Sequence, residues 1–160
     1  MSAKRTEPSR EDRDWILVGT DFSQPAAKAL QEACALARAR GADLLLVHVI
    51  ETDGLAEIAA ITGQSQDELR RKLELERRQH LAAAADLARH EAGGAGVEAV
   101  IGWGHPFEQI LRKATEFAVD LIVLGAAGRG ADLQRVLFGS TAERVLRAAP
   151  CAVLCVPAPR

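Results

Sequence analysis

Gly125 and Gly128 bracket a pair of alanines in Gly125-Ala126-Ala127-Gly128-Arg129-Gly130, and another glycine, Gly139, stands directly before Ser140-Thr141. Glycine lets a backbone approach a ligand closely or take φ > 0. A helix start leaves N–H groups unpaired at the positive end of the helix dipole, which is the chemistry that holds phosphate. Ser140-Thr141-Ala142-Glu143 also fits a capping box, so the same residues can do no more than begin a helix. Taken alone, they do not separate the two roles. The second candidate is Asp21 in Gly19-Thr20-Asp21-Phe22-Ser23. Its carboxylate can accept a hydrogen bond from a nucleobase amino group or a ribose hydroxyl. It can equally close the following turn or cap the helix that starts near Pro25. An acid after one apolar run combined with a glycine loop after another is more specific than either half.

These residues must be positioned by short apolar runs that alternate with longer amphipathic stretches. Trp15 to Gly19, Leu44 to Ile50, Val97 to Ile101, Leu121 to Leu124 and Cys151 to Val156 read as five strands, several of them continuously apolar as in a sheet buried on both faces. Between them, Ala26, Leu30, Cys34 and Ala37 recur at helical steps after Pro25, and Gly41 stops that helix. Glu51 to Gln64 loses clear period and reads as a loop or a short helical excursion. Ser65 to Glu68 matches a capping box and opens a long helix with Leu69, Leu73, Leu81, Ala84 and Ala88 on one side. Within that helix, ELRRKLELERRQH reads as a solvated face rich in local ion pairs. Pro106 opens a helix with a stripe of Phe107, Ile110, Leu111, Ala114, Phe117 and Ala118, and another helix runs from about Ser140 to Ala149. The pattern predicts an α/β fold: a three-layer, open, parallel five-stranded sheet with right-handed crossovers and helices on both faces. Residues 1–13 are expected to form a disordered N-terminal tail and residues 14–160 a single domain.

Composition narrows the function. Twenty basic against 22 acidic side chains give a net charge of −2, which argues against a nucleic-acid partner held by bulk electrostatics. No apolar run approaches the ~20 residues of a membrane helix, and the charged start MSAKRTEPSREDRD does not read as a secretory signal. A cytoplasmic chain with no membrane partner is the expectation. Cys34, Cys151 and Cys155 have no zinc-type spacing and read as small buried hydrophobes. His48, His80, His90 and His105 share no metal-ligand spacing; His48 fits a satisfied core histidine and His105 a helix cap. Trp103, between two glycines, reads as an exposed aromatic and a weak hint of an interface. No P-loop motif, no dinucleotide fingerprint after the first strand and no Gly-x-Ser-x-Gly elbow is present. Only Asp21 fits the acid cluster that a phosphoacceptor receiver domain needs. No catalytic residue is assigned.

The segment DLIVLGAAGRGADLQRVLFGSTAERVLRAAPCAVLCVP resembles the C-terminal signature of the universal stress protein family, and ILVGTDFS with the later LLLVHVI and GWGHPFEQI resembles its opening and middle. The resemblance runs from Trp15 to Pro157 and is most specific in its C-terminal part. It implies a strand order of 3-2-1-4-5, with the ligand crevice between strands one and four. It also implies ATP as ligand, with Mg accompanying it, in a stress-response regulator rather than a fast enzyme. Asp21 and Val49 would then meet adenine and ribose, and Gly125, Gly128, Gly139, Ser140 and Thr141 the phosphates, with Thr20 and Arg129 also among the ATP-binding residues. The chain departs from the ATP-binding pattern in one respect. Ten residues, Arg129 to Phe138, separate Gly128 from Gly139, one more than the family spacing.

The alternative is a nucleotide-free dimeric interaction module of the same fold; an adenylating or nucleotide-hydrolysing enzyme of the wider superfamily is a third reading. Slow ATP hydrolysis stays open in each nucleotide-binding case. In the expected order the last strand, Cys151-Ala152-Val153-Leu154-Cys155-Val156, forms a sheet edge without charge or internal proline. Such an edge invites strand pairing. Two copies meeting antiparallel about a two-fold axis would close it, and the resemblance implies a homodimer through the same strand.

Overall fold

A computed structural model describes residues 13–127 and 138–157. Among the described residues, five strands and five helices follow one another: β1 (Trp15–Gly19), α1 (Gln24–Arg40), β2 (Asp43–Ile50), α2 (Leu55–Thr62), α3 (Gln66–Glu91), β3 (Val97–Trp103), α4 (Pro106–Glu116), β4 (Leu121–Gly125), α5 (Ser140–Ala148) and β5 (Ala152–Val156). The strands form one sheet in the order β3-β2-β1-β4-β5, and each neighbouring pair is parallel. This is the α/β architecture and the order expected. Gly128 and Arg129 lie outside the described residues, as does the expected tail apart from Arg13.

Alternation along each strand divides the interior into two cores. Ile16, Val18, Leu44, Leu46, Leu121 and Val123 point to the layer of α1 and α3, where they meet Ala29, Ala33, Ala37, Leu81, Ala85 and Ala88. Leu17, Leu45, Val47, Ile122 and Leu124 point the other way, onto Ile110 and Ala114 of α4 and Val145 of α5. The central strands are buried on both sides, so they need apolar side chains at consecutive positions. A smaller cluster of Leu55, Ala59, Leu69, Leu73 and Trp103 ties α2 to the start of α3.

Local chemistry sets the helix ends. The Ser23 hydroxyl accepts from the Ala26 amide at 3.3 Å, Pro25 sits in the first turn, and Gly41 ends α1 at φ 69°. At α3, Ser65 and Glu68 form the reciprocal capping box, with bonds of 3.2 and 3.0 Å.

Several boundaries differ from expectation. The aperiodic stretch after β2 contains the full helix α2, held between Gly54 at φ 79° and Gly63 at φ 68°. β3 continues through Gly102 to Trp103, because Ile50 of β2 still has a partner to pair with there. Trp103 is therefore half-buried beneath the Arg70 guanidinium, 5.2 Å from its ring centre, rather than exposed. β5 begins at Ala152, one residue later than expected. Cys34 is buried, and burial pushes its thiol up to about 11; Cys151 and Cys155 are half-buried and also raised by burial.

Candidate functional site

The sheet order reverses between β1 and β4, and the crevice of an open α/β sheet lies beyond the carboxyl ends of its strands at that point. A cleft of about 630 Å³ occupies this position. Thr20 and Asp21 reach it from the turn after β1, Val49 from β2, Gly125 from the end of β4, and Gly139, Ser140 and Thr141 from the start of α5. Residues scattered over more than a hundred positions of chain are thus gathered around one cleft. Seven of the nine expected site residues are brought together, and the other two, Gly128 and Arg129, lie outside the described residues.

The turn after β1 is held by its own side chains. The Thr20 amide donates to Val47 O at 2.9 Å, Thr20 Oγ1 accepts from the Phe22 amide at 3.1 Å, and Asp21 Oδ1 accepts from the Ser23 amide at 3.0 Å. Phe22 takes φ 62°, an unusual conformation for a large side chain. Its ring compensates by packing 4.4 Å from the His48 ring and 5.4 Å from the His80 ring. His48 Nδ1 lies 2.8 Å from Thr20 O. A carbonyl can only accept, so Nδ1 carries the proton. His48 is the satisfied core histidine expected, although it also lines the cleft. Asp21 closes the turn, as one of its two candidate roles requires, and the residue also lines the cleft.

The glycines divide by purpose. A Cβ on Gly125 would lie 2.9 Å from the carbonyl carbon and Cβ of Pro25, so this position needs glycine for the close approach of α1 to β4. Gly139 has an extended backbone at φ −70°, ψ 161°, and its amide donates to Ala126 O at 2.7 Å. That amide belongs to the protein and not to a ligand. The expected capping box at Ser140 does not form. The chain enters α5 one residue earlier, with Gly139 as N-cap, no side-chain cap, and Glu143 turned to Arg147 at 2.9 Å. The first bond inside the helix runs from the Glu143 amide to Gly139 O at 3.0 Å. The preceding amides, of Ser140, Thr141 and Ala142, belong to residues that line the cleft. Among the described residues they have no backbone acceptor, and first-turn amides of this kind can receive an anion.

The rest of the lining was not legible as part of a site. Ile50, Glu51 and Asp53 of β2 and its loop, Leu55 and Ile58 of α2, and Leu73 and Arg77 of α3 complete the cleft. Part of the charged run in α3 is a solvated face, as Arg78 paired to Glu74 shows. Arg77 is not: it turns inward with its side chain 21% exposed. Register carried the signal, since Leu69, Leu73 and Leu81 follow four-residue steps and Arg77 occupies the missing one. His105 stands at the N-cap of α4 as expected, but its side chain makes no cap bond and lies 3.9 Å from Asp53. Among the described residues no group of three or more His, Cys, Asp or Glu is placed to hold a metal ion.

Comparison with known proteins agrees with this architecture. The model of the universal stress protein family matches residues 13–157. The universal stress protein YxiE of Bacillus subtilis is 32% identical over 146 residues, covering 88% of this chain and 97% of the relative. The solved structure of MJ0577 from Methanocaldococcus jannaschii superposes with a TM-score of 0.79 at 28% identity, covering 92% of this chain and 97% of the other. A universal stress protein from Archaeoglobus fulgidus, solved in complex with dAMP, gives a TM-score of 0.64 at 25% identity, covering 90% and 97%. With a family match spanning nearly all of its length and the fold to go with it, the chain belongs to the universal stress protein family.

Proposed function

We propose that this chain binds an adenine nucleotide, ATP foremost, and acts as a cytoplasmic stress-response regulator rather than a fast enzyme. One observation carries the reading: a single cleft joins the acid of the β1 turn, Asp21, to the uncapped first turn of α5. A nucleoside needs an acceptor for its amino and hydroxyl groups, and phosphates need converging amides at a positive helix end. The dAMP complex of a relative supports the same ligand class. In this reading Thr20, Asp21 and Val49 receive the nucleoside. Gly125 gives close approach, Ser140 and Thr141 meet the phosphates with Gly139 shaping that turn, and Gly128 and Arg129 complete the phosphate end. Mg would arrive on the phosphates, since the described residues offer it no cage of their own. Among the described residues no helix is long and apolar enough to cross a membrane.

A homodimer through β5 accompanies this reading. β5 is an edge strand, and its outward positions Ala152 and Leu154 are exposed, with Val153 and Cys155 half-covered. Pairing from Cys151 to Val156 with a second copy would close that edge. The nucleotide-free module remains the second reading. It is favoured by the Gly139 amide, which is engaged by Ala126 O, and by the lengthened spacing after Gly128.

The test is to acid-denature freshly purified protein, identify any released nucleotide by chromatography, and titrate nucleotide-free protein with ATP. Released adenine nucleotide, or saturable micromolar binding, is the expected result. An empty protein that also fails to bind ATP would select the interaction module. Sedimentation at twice the monomer mass is expected in either case.

A further inference from the structure

We infer that Arg77 recognises the nucleobase, lying with its guanidinium against the purine at the end of the cleft opposite α5. This rests on the nucleotide reading proposed above. Helical register places Arg77 in the apolar stripe of α3, between Leu73 and Leu81. Its side chain is four-fifths covered, yet among the described residues its closest carboxylate is that of the adjacent Glu76, 3.7 Å away and beyond hydrogen-bond range. A guanidinium carries five donors, and holding it on a covered helix face without protein acceptors is costly unless something else uses it. The cleft is the side it lines.

Topology decides which part of a nucleotide it meets. α3 packs on β2 and β3 in the layer shared with α1, whereas α5 packs with α4 and β5 in the opposite layer. Arg77 and the amides of the α5 first turn are therefore on opposite faces of the sheet and on opposite sides of β1. A single phosphate chain held at α5 leaves the base end for Arg77. Among the described lining residues Arg77 is the one Lys or Arg, and Glu51 and Asp53 come from the loop after β2, a strand that α3 packs against. Ile58 and Leu73, which also line this part of the cleft, suit a flat neutral ring. A planar cation against such a ring is the geometry in which arginine surpasses lysine.

Calorimetric titrations of wild type, Arg77→Met and Arg77→Lys with adenosine, AMP and ATP test the assignment. Methionine matches the apolar stripe, so Arg77→Met should melt no lower than wild type. Its affinity should fall about 3- to 30-fold, by the same factor for all three ligands. Arg77→Lys should recover only part of the loss. A loss absent for adenosine and growing with phosphate number would overturn the assignment and put Arg77 on the phosphates. Unchanged affinities, or full recovery by lysine, would overturn it as well. If wild type binds none of the three, the nucleotide reading itself fails. If wild type binds and Arg77→Met matches it, only the role of Arg77 is lost.

Discussion

The two ends of the sheet are built from the same parallel strands yet treat their polar groups in opposite ways. At the amino ends the groups are stitched to one another. Asp43 opens β2 with only 2% of its surface exposed and accepts from the Gly96 amide at 2.7 Å and from Arg13 at 3.2 Å. The Trp15 amide donates to Asp120 at 2.9 Å, and Arg40 pairs with Asp14 at 2.9 Å. Gly96 is part of this design, since a Cβ there would lie 3.0 Å from the Asp43 carboxylate. At the carboxyl ends a cleft is bordered instead by a covered guanidinium and, among the described residues, by first-turn amides of α5 without a side-chain cap, alongside the carboxylates of Asp21, Glu51 and Asp53. A polar group paired inside the protein contributes to stability, whereas one that borders open space is available to a ligand. The contrast separates the end that holds the fold from the end that can work.

The largest effect should come from breaking the stitched end. Asp43→Ala leaves the Gly96 amide and Arg13 without their acceptor and should cost ~2–4 kcal/mol, lowering Tm by roughly 5–15 °C. Affinity for ATP, measured by calorimetry below that Tm, should stay within twofold of wild type. A large affinity loss would show that the two ends are not separable.

At the open end the balance reverses. Asp21→Ala should weaken ATP ~10- to 100-fold, the ~1.5–3 kcal/mol of a hydrogen bond to a charged group. Its stability loss should stay near ~1 kcal/mol, for the turn bond to Ser23. Stability that falls while affinity survives would reduce Asp21 to a turn residue.

The smallest effect lies away from both ends. The Ser65 amide and hydroxyl bonds hold the Glu68 carboxyl below its usual 4.5. A depressed carboxyl adds stability that is present above the unfolded value and disappears as pH falls through the folded one. Ser65→Ala should therefore lower Tm by only ~2–4 °C at pH 7, with the difference shrinking below pH 4. A difference that grows in acid would contradict the assigned sign.

The sheet was legible because strands buried on both faces must be apolar at every position, and Trp15 to Gly19 or Leu44 to Ile50 permit little else. Half of the site followed from it, since strand ends mark where a ligand can sit. The remainder depended on spatial neighbours. Gly125 owes its identity to Pro25, a hundred residues earlier in the chain, which no local pattern reveals. Ser140 matched a capping box, but the backbone at Gly139 already had the extended geometry of an N-cap and took that position first. α2 is apolar nearly all round (Leu-Ala-Glu-Ile-Ala-Ala-Ile-Thr), so its period was too weak to distinguish helix from loop. Arg77 was hidden among surface charges, although its place in the leucine register was there to be read.

α2 itself has a kinetic consequence. Both of its ends pass through glycines in the left-handed region, and its anchorage is the small cluster under Leu55 and Ala59 rather than either main core. Lifting this helix uncovers Leu69, Leu73 and Trp103 along with its own Leu55 and Ala59 and leaves the two main cores covered, so it opens at a fraction of the free energy of global unfolding. Its amides should exchange with deuterium far sooner than those of β1 or β2. A molecule beneath it would then leave on the timescale of eight residues rather than of the whole domain. Residence time and melting temperature become independent quantities in this fold, each adjustable without disturbing the other.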